Sequence, residues 1–134
     1  MANNLKYAVT LKNAKLDAIT TAVGASGLLR IYSGTQPTNP DTALSGNTQL
    51  AELACSATFA AGASSGVLTV NTITADSSAD NTGTATFGSF LTSGATRKVD
   101  FTVGTSGADL NFNTVSFVSG AQVSVSSFTI TAAN

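Results

Sequence analysis

Apolar positions recur at helical spacing only near the start of the chain. They are Leu11, Ala14, Ala18, Ile19 and Ala22. This spacing predicts a helix over residues 10–23 with these side chains on its apolar face. Thr10 can cap the first turn, and Gly24 stands where helices commonly end. The helix either covers one end of a sheet or docks as an arm on a neighbouring molecule, and the pattern leaves both open.

Further along, short apolar runs alternate with polar residues, which is typical of strands with one buried face. They predict strands at 28–32, 49–57, 67–74, 83–90, 98–103, 110–113, 114–118 and 122–131. The alternation changes phase near Asn113, which predicts a bulge or turn, and again at Ser126 and Ser127, which predicts a bulge. Eight short strands indicate an all-β fold, a jelly-roll-like two-sheet antiparallel β-sandwich. We assign residues 1–26 to an N-terminal arm or helix and 27–134 to the sandwich domain.

Residues 33–47 show no periodicity and contain Pro37, Pro40 and Gly46. Loops longer than about 12 residues are uncommon in compact domains and are often functional or disordered. This loop is therefore the first candidate for an extended contact with a partner, although a plain surface loop explains it equally well.

Charged residues make up only 10% of the chain and the formal net charge is −1, against about 25% charged residues in ordinary soluble domains. Such a chain lacks the clustered Lys and Arg that bind phosphate backbones or anionic lipid. No stretch approaches the roughly 20 apolar residues of a membrane span, and no export signal precedes the helix. We expect no nucleic-acid or membrane partner. The lone Cys55 predicts a buried small side chain rather than an intermolecular disulfide.

Histidine is absent, which removes the commonest general base and metal ligand and every Ser/His arrangement. The seven carboxylates follow no catalytic motif, and the chain has no Trp and only two Tyr, so a glycosidase cleft is also disfavoured. Asp76, Asp80 and Asn81 could offer oxygen ligands to calcium, but their spacing does not match an EF-hand loop. We predict no enzyme activity and no cofactor, and we assign these three residues to polar loop chemistry.

Residues 110–134 contain no charged side chain although they hold three predicted strands. Soluble monomers normally guard exposed strand edges with Lys, Pro or bulges, because unpaired peptide groups promote aggregation. Either these strands form a central meander, or another subunit covers their edges.

Several segments carry a resemblance to a known family. They are 16–22 (LDAITTA), 29–37 (LRIYSGTQP), 41–46, 50–53 (LAEL) and 109–130. These phrases resemble the small cement or decoration proteins of tailed-bacteriophage capsids, in particular the jelly-roll cement proteins of short-tailed phages. The resemblance implies a virion protein, made in the host cytoplasm, that binds the major capsid protein on the outer face of the shell as a homodimer and stabilises the head. It carries no catalytic residue with it.

Two other functions stay open at this point. A tail-associated or host-receptor-binding β-sandwich is the main alternative, although few aromatic residues are available to bind sugars. A cellular carbohydrate-binding module or adhesin would require an export signal. For contacts with protein partners we select Arg30, Gln36, Asp41, Arg97 and Lys98, because polar groups are scarce here and scarce groups can set register. For the adjacent pair Arg97 and Lys98 a solvated strand end is the simpler interpretation.

Overall fold

The computed structural model describes residues 5–132, which are mostly β with one helix. Helix α1 spans Val9–Val23, and nine strands follow it. In chain order they are β1 (Leu28–Tyr32), β2 (Gln49–Ala54), β3 (Val67–Thr69), β4 (Gly83–Thr84), β5 (Phe87–Leu91), β6 (Arg97–Gly104), β7 (Leu110–Asn111), β8 (Ser116–Phe117) and β9 (Thr129–Thr131). Only β1, β2, β5 and β6 exceed three residues.

The four longer strands belong to one sheet of order β2-β1-β5-β6-β7, while β3 pairs with β9 and β4 with β8. All pairs are antiparallel except β6 and β7, which run parallel. The sequence predicted antiparallel pairing throughout. Asp109 explains the difference, because its Oδ2 accepts hydrogen bonds from N–H (2.9 Å) and Oγ1 (3.1 Å) of Thr102. This contact turns the chain back beside the end of β6.

The helix is where the sequence predicted it, but its buried face differs in part. Leu16 and Val23 are the buried residues. Of the predicted apolar face, Ile19 packs half-buried against the core, whereas the rest of it, an alanine-rich stripe, faces solvent. That stripe consists of Leu11, Ala14, Ala18 and Ala22. Its alanines offer little apolar area, so the larger side chains of Leu16 and Val23 stabilise the docked helix more. Gly24 ends the helix as predicted, with φ 75° and its N–H donating to Thr20 O (3.0 Å).

Polar side chains of α1 also help to dock it. Asp17 Oδ1 accepts a hydrogen bond from Ala63 N–H (2.8 Å), and Asn13 Oδ1 accepts one from Gly66 N–H (2.9 Å). Thr10 does not cap the helix. Ala8 occupies the N-cap position without a side-chain hydrogen bond.

The predicted strands exist but most are shorter than the apolar runs that indicated them. The prediction at 28–32 is confirmed, and the run at 83–90 divides into β4 and β5. The chain turns near Asn113, between β7 and β8, as the phase change indicated. Val125 and Phe128 are both buried, and the two residues between them, Ser126 and Ser127, are exposed. The extra residue thus returns the apolar side chains to the buried side, as the second phase change indicated. However, only residues 129–131 of the final run form strand, because residues 122–128 make just one isolated bridge.

Aromatic packing holds the centre of the core. The Phe90 ring on β5 lies 4.9 Å from Phe59, 5.2 Å from Phe101 and 5.0 Å from Phe128, measured between ring centroids. These four rings join the main sheet to the segments that precede β3 and β9. Gly88 on β5 makes room for this arrangement, since a Cβ there would lie 2.6 Å from the Phe101 ring.

We predict that Phe90→Ala lowers the free energy of unfolding by about 3–5 kcal/mol, because it leaves a cavity among three rings. Val118→Ala, at a position 56% exposed, should change it by less than about 0.5 kcal/mol. Urea denaturation followed by circular dichroism measures both. Similar losses for the two variants would contradict this account of the core.

Candidate protein-contact surface

The main sheet is buried on both faces. Leu29 and Ile31 of β1 belong to the core, whereas Tyr32 lies on the opposite face and stacks on Phe87 of β5 at 5.1 Å and 20°. Tyr32 is 2% exposed and Phe87 0%, so this second face is covered as well. We call it the loop face, because residues 33–47 lie along it.

A row of polar side chains crosses the loop face. Strand register places Glu52, Arg30, Ser89 and Asp100 side by side on β2, β1, β5 and β6. Arg30 Nε donates to Glu52 Oε2 (2.6 Å), and Ser89 Oγ donates to Asp100 Oδ1 (2.6 Å). Partial burial by itself would lower the pKa of Arg30, but hydrogen bonds to Glu52 and Tyr32 outweigh it and the pKa is raised. Arg30 therefore stays a cation committed to this row.

Arg97 joins the sheet to the loop. Its guanidinium donates to both carboxylate oxygens of Asp100, at 2.6 and 3.2 Å. The same group donates to the backbone carbonyls of Thr42 (2.7 Å) and Asn39 (3.3 Å). Side-chain exposure is 9% for Arg97 and 3% for Asp100. We call this arrangement the Arg97 anchor, because it holds the middle of the long loop against the sheet.

A bulge in β6 makes the anchor possible. Residues three apart in a regular strand point to opposite faces. Here Phe90 pairs with Val99 but Leu91 pairs with Arg97, so β6 carries one extra residue. That residue brings Arg97 and Asp100 onto the same face.

The loop is also closed by its own asparagines. Asn39 Oδ1 accepts a hydrogen bond from Asp41 N–H (3.0 Å). Asn47 Nδ2 donates to the carbonyls of Ser33 (3.0 Å) and Thr35 (2.9 Å). As predicted, the loop contains no helix or strand. Hydrogen bonds nevertheless join its two ends through Asn47, close its turn at Asn39 and connect it to the sheet through Arg97. It therefore presents its exposed residues in one arrangement.

The five candidate contact residues occupy different settings. Arg30 and Arg97 belong to the loop face and are connected through Ser89 and Asp100. Asp41 is exposed on the loop, Gln36 is half-buried within it, and Lys98 is exposed at the β6 bulge. The interpretation of Arg97 and Lys98 as a solvated strand end is wrong for Arg97, because its charge is buried against Asp100. Asp41 and Lys98 are the two charged candidates that a partner can reach readily.

Sequence analysis missed Ser89, Glu52 and Asp100. They join the polar row on the loop face only because strand register aligns them with Arg30. Nothing in the order of residues along the chain shows which strands are neighbours. The single sequence signal for this polar row was the position of Asp100 between apolar residues of an alternating strand. It did not identify Arg97 as the partner, because the bulge was not predicted.

The oxygens of the polar 76–81 loop are engaged in hydrogen bonds. Asp76 Oδ2 accepts from Glu52 N–H (3.0 Å), and Asp80 Oδ2 accepts from Gln49 Nε2 (2.8 Å). Asn81 Nδ2 donates to Gln49 O (2.8 Å). Within residues 5–132, no three His, Cys, Asp or Glu side chains form a group that could hold a metal ion.

The uncharged C-terminal segment lies at strand edges. β7 is the last strand of the main sheet, β8 pairs only with β4, and β9 pairs only with β3. The interpretation of this segment as a central meander is therefore wrong, because its strands belong to three different sheets. Val118, just after β8, is 56% exposed. Uncharged strand edges and an exposed apolar side chain are features of a surface that contacts other proteins.

Two grooves adjoin this segment. The first, of about 380 Å³, lies between β6 and β9 and is called the β6–β9 groove below. Its lining residues are Val99, Asp100, Phe101, Asp109 and residues 128–131. The second, of about 320 Å³, lies beside β8 and is lined by residues that include Phe112, Phe117 and Val118.

The chain matches no protein-family model, and no curated protein or solved structure shows significant similarity to it. In the part of the chain that the structure describes, no helix has the length and apolar character needed to cross a bilayer.

We predict that Asp100→Asn destabilises the protein by about 3 kcal/mol, because it leaves the buried Arg97 charge without its counter-ion. Glu52→Gln is the matched control. It breaks a more exposed ion pair and should cost about 0.2–1 kcal/mol. Urea denaturation gives both values. Hydrogen exchange of residues 39–42 should accelerate only in Asp100→Asn, and equal exchange in the two variants would contradict the Arg97 anchor.

A second prediction concerns Cys55, which is buried as expected. Burial raises the pKa of its thiol to about 11, whereas the unfolded chain should titrate near the ordinary value of about 8.5. Between these values the unfolded state binds fewer protons, so stability should fall as pH rises through this window. Iodoacetamide at pH 8 should label the native thiol far more slowly than the thiol in urea. Equal rates would show that Cys55 is accessible.

Proposed function

We propose that this chain is a non-enzymatic structural protein of a bacteriophage virion. In this proposal it binds the outer surface of the capsid as a homodimer and cements neighbouring major capsid protein subunits. The proposal includes a jelly-roll-like sandwich fold. It is supported by the Phe90 cluster, which joins the main sheet to the segments that precede β3 and β9.

The observation that carries the proposal is the uncharged edge surface of residues 110–132. Its three strands each have one partner, and their free edges carry no Lys, Arg, Asp or Glu. A monomer with such edges tends to associate through them. In a protein that functions packed in a lattice, charges on strand edges would have to be desolvated on assembly, which costs free energy. The absence of such charges therefore suits a lattice protein.

The Arg97 anchor supports the same proposal. Binding costs less conformational entropy when a contact loop is already ordered. Loop 33–47 is tied by two asparagines and by Arg97, and it presents Asp41 and Leu44, which is 37% exposed. Each contact can be weak, because a lattice presents many identical sites and the stabilisation adds over the copies bound.

We predict that the purified protein cosediments with empty phage heads. Binding should saturate at a number of copies proportional to the number of capsid subunits, and it should raise the melting temperature of the shell. Val118→Asp places a charge on the uncharged edge surface and should weaken binding about ten-fold, the effect of losing one strong interface residue. Thr21→Asp, exposed on α1, is the matched control and should bind normally.

Failure of the wild-type protein to bind heads would contradict the cement proposal. Binding to isolated tails, or to immobilised sugars, in only a few copies per virion would instead support the tail-associated or receptor-binding alternative. Equal loss in the Val118 and Thr21 variants would show that the uncharged edge is not the contact.

A further inference from the structure

The connection between α1 and β1 is short and strained. Residues 24–27 form a tight turn in which Gly24 has φ 75° and Ser26 has φ 53°. Glycine adopts positive φ readily, whereas the Cβ of a serine there comes too close to the following carbonyl oxygen, which costs free energy. Ser26 N–H reaches Ala57 O only at 3.3 Å, longer than most backbone hydrogen bonds. Any rearrangement that extends this turn therefore removes the strain at Ser26.

The apolar contacts of α1 fit closely against residues that follow the turn. Leu16 is 3% exposed and Val23 is 1% exposed. A Cβ at Gly27 would overlap the Val23 side chain and would lie 2.9 Å from the Leu91 carbonyl oxygen. The place of Val23 is thus shaped by the start of β1 and the end of β5, and a larger side chain has no room there.

The polar contacts of α1 likewise join it to residues beyond the turn. Asp17 Oδ1 accepts a hydrogen bond from Ala63 N–H (2.8 Å), and Asn13 Oδ1 accepts one from Gly66 N–H (2.9 Å). We call the surface on which α1 lies the helix seat. Because every one of these contacts joins the helix to a later part of the chain, α1 of a second copy can make all of them.

The helix is held less firmly than the sheet beneath it. Only Leu16 and Val23 of its fifteen residues are buried. Its N-cap makes no side-chain hydrogen bond, its first turn has no acidic residue and its last turn has no basic one, so its ends lack the usual stabilising groups. None of the four rings of the Phe90 cluster belongs to α1. The helix can therefore detach while the centre of the core stays folded.

We propose that α1 is exchanged between two copies of this chain, each helix occupying the helix seat of the other protomer. The occupant is defined by the structure, because the seat already holds this helix and a second copy carries an identical one. The inference rests on the homodimer included in the proposed function and gives it a mode. Its test uses no capsid, so failure of one proposal can be distinguished from failure of the other.

The turn decides between the closed monomer and the exchanged dimer. The contacts between helix and seat are the same in both forms and cancel in the difference. Extending residues 24–27 removes the strain at Ser26 in both chains of the dimer, and short hinge loops under strain favour such swapping. Association costs translational and rotational freedom, which favours the monomer. Dimers should therefore form at high protein concentration and separate on dilution.

The decisive experiment traps the contact between the helix and its seat. In a Cys55→Ala background, Asp17→Cys and Ala63→Cys place two thiols where a hydrogen bond of 2.8 Å now joins the residues. The protein is refolded at high concentration, and its dimer is isolated and oxidised with glutathione disulfide. We expect a disulfide between chains, seen as a covalent dimer in denaturing gels without reductant. A disulfide within each chain would overturn the inference.

Variants of the turn test the same inference if the cysteine pair fails to fold. Ser26→Gly relieves the strain of the closed form, so it should raise the dimer dissociation constant at least about ten-fold, since each dimer contains two turns. Ser26→Val should lower it, because a β-branched residue tolerates positive φ still less. The Ser26 side chain is exposed, so neither change disturbs the core. Sedimentation equilibrium under reducing conditions measures the constants.

Ser65 provides the matched control. It is also exposed and has φ 54°, but it lies outside the turn. Ser65→Gly and Ser65→Val therefore change the strain of monomer and dimer equally. Both should shift the melting temperature and leave the dimer dissociation constant unchanged. Equal effects of the Ser26 and Ser65 variants on dimerisation would contradict a hinge at residues 24–27.

A wild-type protein that stays monomeric after refolding at high concentration would overturn the inference. So would dimers whose dissociation constant does not respond to the Ser26 variants. A protein that binds phage heads as a monomer would support the cement function and exclude the exchange. An exchanged dimer that does not bind heads would leave this inference intact and remove the proposed function.

Discussion

The buried ion pair between Arg97 and Asp100 is the interaction on which the loop side of this protein depends. An isolated charge in such a place would be costly, and it is tolerated because four hydrogen bonds from the guanidinium reach oxygen acceptors. Two of those acceptors are carbonyls of the long loop. The pair therefore cannot be kept without the loop, and the loop keeps its shape through the pair. This mutual dependence holds a segment with no regular structure against the sheet.

Charge is scarce in this chain, and much of it is used internally. Arg30 with Glu52 and Arg97 with Asp100 form the two ion pairs found within residues 5–132. Asp17 docks the helix, Asp76 and Asp80 hold a loop, and Asp109 caps the edge of β6. The exposed strand edges are left without the charges that usually discourage association. A protein built in this way is suited to contacts with other proteins, which is the basis for the capsid-binding proposal.

The cement function needs an uncharged face and an ordered loop. A homodimer of this chain would offer two sets of capsid contacts. Weak individual contacts would then suffice, because paired binding raises the effective concentration of the second site.

The sequence by itself determined the β-rich class, the position of the single described helix, the irregular loop and the places where strand phase changes. These features depend on residues close together in the chain, and spacing records them directly. Strand lengths were overestimated, because apolar residues such as Val123 and Val125 are buried without regular pairing. The buried face of α1 was decided by the surface on which it docks, where Leu16 and Val23 fit and alanines add little. Likewise, the Arg97 anchor, the parallel β7 and the β6–β9 groove arise from strand order and one bulge. Only tertiary structure decides these, because register brings together residues that the chain keeps far apart.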